Sequence, residues 1–206
     1  MTFDLALFGT AFATLIVIID PPGNMPIFMS LTSRNSERDR RRAALKSNLI
    51  AAGILLVFGF FGYQVFGALG ITTPALQISG GLLLLLVALQ LLTGKEEDPG
   101  ESSNTLNAAV VPLGTPLLAG PGSIVAFMVL VEEATPDIGK VIIVTAALFV
   151  VLFISWLSMR FASPIIRVLG ESGVMLLTRL SGMLLAAIAT QLIIRGVIAV
   201  VGEMQF

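Results

Sequence analysis

Cysteine and histidine are both absent from the 206 residues, and charge is scarce. Without cysteine there is no disulfide, no thiolate metal site and no cysteine nucleophile, and the redox compartment stays open. Without histidine the chain lacks the commonest metal ligand and the side chain that titrates near neutrality. Charged residues make up 12% of the chain and the net charge is −1, so no global basic field points to nucleic acid. What fills the space is apolar: 56% of residues are hydrophobic and the mean hydropathy is +0.97. A water-soluble domain of this length has too little interior to hide so much apolar surface, whereas a bilayer hides it readily.

A membrane-spanning helix needs about 20 apolar residues. Apolar runs of that order, interrupted by charge only at Asp20 and Arg195, extend over Leu5–Leu31, Asn48–Leu69, Ala75–Leu92, Ala108–Val131, Val141–Met159 and Leu180–Val201. They predict an all-α, polytopic membrane protein with six transmembrane helices. The first run has no basic residue before it and exceeds the apolar region of a signal peptide, so it reads as a retained span. Lys and Arg set the orientation. The segment SRNSERDRRRAALK, read as the loop after span 1, holds Arg34, Arg38, Arg40, Arg41, Arg42 and Lys46. Lys95 follows span 3, and Arg160, Arg167 and Arg179 surround the connection between spans 5 and 6; the other side offers Lys140 and Arg195. This bias places both termini outside and the basic loops in the cytoplasm. The basic segment then serves as a topological anchor, helped by anionic lipid, and no nucleic-acid partner is expected. Trp156 beside Arg160, and Tyr63 at the other face, suit interfacial positions.

The polar stretch GKEEDPGESSNTLN reads as a cytoplasmic linker (94–107) between two three-helix repeats, residues 1–93 and 108–206. The repeats resemble each other. DPPGNMPIFMSL, from Asp20, aligns with AGPGSIVAFMVL, from Ala119, and GGLLLLLVALQL, from Gly80, aligns with SGMLLAAIATQL, from Ser181. Gly81 pairs with Gly182 and Gln90 with Gln191. Homologous halves with an odd number of spans must be inverted relative to each other.

Prolines within spans 1 and 4 predict that both are discontinuous. Span 1 should stop near Asp20-Pro21-Pro22, with Asn24 capping a half-helix from Met25. Span 4 should break at Ala119–Gly122 and restart at Ile124 with Ser123 as its cap. Backbone groups freed at such breaks cannot face lipid and must face protein or a water-filled cavity. Two restarted helices with positive N-termini suit a small anion such as a carboxylate, and Asp20 adds the opposite charge. An aspartate at mid-membrane costs about 2.5–3.5 kcal/mol on insertion scales and is usually retained for function. It could hold an ammonium group, coordinate sodium, carry a coupling proton, or simply cap its own break. A carboxylate beside two positive helix ends suits a zwitterion, that is, a small amino acid. Gln90 and Gln191 could line a pathway or hydrogen-bond between helices.

DPPGN followed by PIF resembles the DPxGN signature of the MarC family of integral membrane proteins, and TPLLAGPGSI resembles that family's second signature. The resemblance, which covers most of the chain, implies six helices in a prokaryotic cell (inner) membrane and transport of small neutral amino acids. Carried across, it implies a substrate site of Asp20, Gly23 and Asn24 from span 1 with Gly120, Gly122 and Ser123 from span 4. Arg195 departs from the pattern, standing where an acidic residue is expected near the end of span 6; it reads as an anchor at the outer face. The expectation is a secondary transporter of glycine- or alanine-like amino acids working by alternating access. It uses no cofactor beyond a possible Na+ or H+ coupling ion, and its oligomeric state is open. A channel or exporter for another small solute, or a non-transporting membrane assembly partner, is the alternative. An enzyme is not expected, because Asp20 is the only acid deep in a span and an aspartyl hydrolase needs two.

Overall fold

The computed structural model describes residues 4–32, 35–93 and 118–203, and among these every regular element is a helix. They are α1 (Leu5–Ile19), α2 (Pro21–Leu31), α3 (Glu37–Ala68), α4 (Thr73–Thr93), α5 (Pro121–Ala134), α6 (Ile138–Arg160) and α7 (Ala162–Glu203). Among the described residues, five segments are long and apolar enough to cross a membrane: Leu5–Met29, Glu37–Ala68, Thr73–Thr93, Ile138–Arg160 and Ser172–Gly202. The α5 helix has 14 residues, about 21 Å at 1.5 Å per residue, and is too short to span alone. Residues 108–117 of the expected span 4 and the expected linker, 94–107, lie outside the described residues.

Two expected boundaries move. The basic segment is not a loop beyond Ser36: residues from Glu37 onward form the first turns of α3. Ser36 accepts a hydrogen bond from the Asp39 amide at 3.2 Å, Glu37 and Asp39 favour the positive helix start, and Glu37 pairs with Arg41 one turn on. These local contacts stabilise a helix that extends out of the apolar run. At the other end, α7 begins long before Leu180. It is broken once, at Gly170, where φ is 68° and ψ 167°, a conformation that disfavours any residue with a side chain.

The α5 helix is apolar nearly all round and buried from Val125 to Val131. Glycines make room for it. A β-carbon on Gly59 or Gly62 of α3 would collide with Phe127 or Met128, and one on Gly80 of α4 would collide with Val125. Lipid tails attract leucine as well as another helix does, so close approach through small residues is what holds such helices together. The α4–α7 pair follows the same rule and runs antiparallel. Gly81 sits against the Ala189 carbonyl and Ile193, and Gly182 against the Ala88 carbonyl and Leu92. Around this frame, α2 packs on α6 and α7 while α5 packs on α3 and α4.

Candidate functional site at the helix break

The α1 helix stops at Ile19 because the next residues cannot continue it. Pro21 and Pro22 have no N–H for the last carbonyls of α1, and Asp20 turns the backbone into the left-handed region at φ 44°, ψ 68°. Asp and Asn tolerate that conformation better than most residues. The α2 helix starts at once, at Pro21, where a missing donor costs nothing. Its first turn closes when the Asn24 amide donates to the Asp20 carbonyl at 3.1 Å.

Asn24 is therefore not the N-cap and the helix does not wait for Met25. Its side-chain nitrogen donates backward to the Ile19 carbonyl at 2.5 Å, serving an acceptor at the very end of α1, where the left-handed turn at Asp20 interrupts the helical ladder. Asp20 and Asn24 are 5% and 4% exposed, so the break is enclosed by protein. Gly23 lies directly beneath the Asp20 carboxylate, and a β-carbon there would collide with Oδ2; Thr178 of α7 flanks the same point.

The start of α5 also differs from expectation. Gly120, not Ser123, is the N-cap; Pro121 opens the helix and the Ile124 amide donates to the Gly120 carbonyl at 3.0 Å. With glycine as cap, no side chain accepts from the first-turn amides. Gly122 is pressed against Leu84 of α4, and Ser123, 4% exposed, lies within the first turn. Ile19 and Ala119, each one residue before a break, belong to the same buried cluster, and Ile18, Leu84 and Ala126 share a second.

Gln90 and Gln191 are both exposed, so neither lines an interior pathway. Arg195 reaches Glu133 at 3.3 Å, linking α7 to α5. Glu132 accepts from Thr73, which also bonds Tyr63, joining the same ends of α3, α4 and α5. Span spacing gave no signal for Thr178, Thr73 or Glu132, because each acts across helices. Asn48 was legible only as a polar residue near an end; it is buried and reaches Met159 of α6.

A model of the family described as MarC family integral membrane protein matches residues 5–201. The chain belongs to the MarC family. It is 38% identical to a UPF0056 membrane protein of Methanocaldococcus jannaschii, over 94% of this chain and 97% of the relative. A UPF0056 membrane protein of Aquifex aeolicus is likewise 38% identical, with 92% of each chain covered. The UPF0056 inner membrane protein YhgN of Escherichia coli K12 is 33% identical, over 91% and 94%. No solved structure matches. This MarC-family chain is thus an integral membrane protein, and the DPPGN and AGPGS stretches that carry the resemblance are the ones that form the two helix starts.

Proposed function

We propose that this MarC-family protein is a secondary transporter of small neutral amino acids, with a mid-membrane site formed by the starts of α2 and α5. The observation that carries the reading is Asp20, a carboxylate 5% exposed, held in a left-handed turn between α1 and α2. An acid kept at that depth needs a use. Asp20 offers a partner for an ammonium group, and the uncapped amides of α5 offer donors for a carboxylate. Gly23 leaves the room that the Asp20 carboxylate occupies at the start of α2.

Inverted repeats support alternating access. Gly81 and Gly182 are 101 positions apart, as are Ala88 and Ala189, and Leu92 and Ile193. The contact of Gly81 with Ala189 and Ile193 is therefore the counterpart of that of Gly182 with Ala88 and Leu92. A rotation exchanging α4 with the later part of α7 accounts for both, and the partners of α2 and α5 exchange the same way. In this reading the chain has six spans, both termini outside and the arginine-rich ends in the cytoplasm. Because Asp20, Asn24 and Ser123 are buried, solute access requires one repeat to rock against the other.

The test is radiolabelled glycine and alanine uptake into proteoliposomes. Saturable flux is expected, falling sharply in Asp20→Asn, which keeps the left-handed backbone and removes only the charge. Undiminished flux in a folded Asp20→Asn protein would sink the site. Flux without saturation would mark a channel, and no flux of any small solute would favour an assembly partner. Sweeping sodium and pH gradients in the same vesicles identifies the coupling ion.

A further inference from the structure

The basic end of the bundle carries a second site unrelated to the helix breaks. We propose that a groove between the first turns of α3 and the last turns of α6 binds the phosphate headgroup of an anionic phospholipid. A cleft of about 560 Å³ is bounded by Glu37, Arg38, Arg41 and Arg42 on α3 and by Arg160 on α6, with Leu45 and Trp156 completing the wall. A second cleft of about 420 Å³ shares Arg41 and Arg160 with the first and adds Arg40 and Ser163. Five arginines thus line the two clefts together with one carboxylate, Glu37, and Asp39 lies beside Arg42.

The guanidinium groups are held in different ways. Arg160 lies over the rings of Trp156 and Phe161, at 5.7 and 5.6 Å from their centres, which fixes it without neutralising it. Arg40 donates to Ser163 at 3.2 Å, and its buried Nε has no acceptor among the described residues. Arg41 and Arg42 pair with Glu37 and Asp39, but these pairs are solvent-exposed and exchange readily for a stronger acceptor. Phosphate is such an acceptor, because planar guanidinium groups engage its oxygens in pairs.

Below the arginines the surface turns apolar. On α3, Leu45 and Leu49 are 48% and 62% exposed, one turn apart on the same face. On α6, Phe153 is 58% exposed and its ring meets that of Trp156. Charge at the membrane surface directly above uncovered apolar side chains matches the two halves of a phospholipid, a headgroup and its acyl chains. A soluble anion would use the first half only. Basic pockets of this kind between transmembrane helices are a recurrent mode of anionic headgroup recognition.

Trp156 is the only tryptophan in the chain, so its fluorescence reports on this cleft alone. The full-length protein is reconstituted in phosphatidylcholine vesicles containing a small fraction of brominated phosphatidylglycerol or, separately, brominated phosphatidylcholine. Brominated phosphatidylglycerol is expected to quench Trp156 with an apparent association at least about fivefold stronger, roughly the effect of one arginine at an anionic surface. Raising salt should shrink the difference. Combined Arg38→Gln, Arg41→Gln and Arg42→Gln substitutions should abolish it with helical content intact, and the corresponding Lys variant, which keeps the charge and loses the paired geometry, should keep only part of it. Equal quenching by the two lipids in the unmutated protein would overturn the proposal whatever the variants do. Abolition of the preference by millimolar glycerol phosphate would do the same, since it would identify a soluble-anion site.

Discussion

The carboxylate of Asp20 occupies the space that a side chain at position 23 would need. A β-carbon on Gly23 would collide with Oδ2 of Asp20, three residues earlier. Gly23→Ala is the first prediction. Helix propensity alone favours alanine by about 0.8–1.0 kcal/mol inside a helix. Crowding reverses that sign here, so we expect a loss of about 1–3 kcal/mol in detergent-solubilised protein, together with reduced amino-acid flux. An alanine variant more stable than the parent would show that the carboxylate moves aside freely.

Asn24→Ala should destabilise the protein through the opposite helix. It removes the donor to the Ile19 carbonyl and leaves a buried acceptor unmatched. The expected cost is about 1–3 kcal/mol. Asn24→Asp, which replaces the donor with an acceptor, should be at least as harmful. Thermal unfolding of the two variants checks the order.

The α4–α7 contacts predict an asymmetry between related glycines. A β-carbon on Gly81 would stand 2.7 Å from the Ala189 carbonyl oxygen, which is backbone and cannot swing away. On Gly182 the nearest atom is 3.0 Å off and the Ala88 oxygen 3.2 Å. Gly81→Ala should therefore cost about 1–3 kcal/mol and Gly182→Ala measurably less. Unfolding titrations in mixed detergent micelles would show it; equal losses would contradict the geometry.

Ser36→Ala removes the cap of α3 and should cost about 1 kcal/mol. The effect should be local. Amide hydrogen exchange is expected to accelerate in the first turn, near Asp39 and Arg40, while the α4 amides stay protected.

Glu133→Gln breaks the ion pair with Arg195, whose side chains are 51% and 54% exposed. Exposed pairs contribute about 0–1 kcal/mol, so stability should barely change. A large loss on unfolding would mean that this link between α5 and α7 is more enclosed than its exposure indicates.

Much of the candidate site was legible because proline acts locally. Pro21 and Pro22 end α1 regardless of surroundings, and Gly120-Pro121 marks the start of α5 in the same way. The caps were misread because two residue types can both serve a helix end. Asn24 has the chemistry of an N-cap, yet its amide turns back to Ile19 once Asp20 has taken the left-handed position. The extension of α3 was missed for a related reason. Arginine is a good helix former, but hydropathy records only where the apolar run begins.

The sequence by itself determined that the chain enters a membrane, where most spans run, and where the first of them breaks. Transfer free energies and missing backbone donors are properties of short stretches, readable one residue at a time. Tertiary structure alone decided which side of each helix is inside. In the run from Gly81, Leu84 is 1% exposed while Leu82, Leu83 and Leu86 are 52%, 38% and 59% exposed. Lipid accepts leucine as readily as a protein core does, so hydropathy cannot separate those four residues. Their fates follow from Gly122 and Gly182, whose missing side chains let α5 and α7 approach α4.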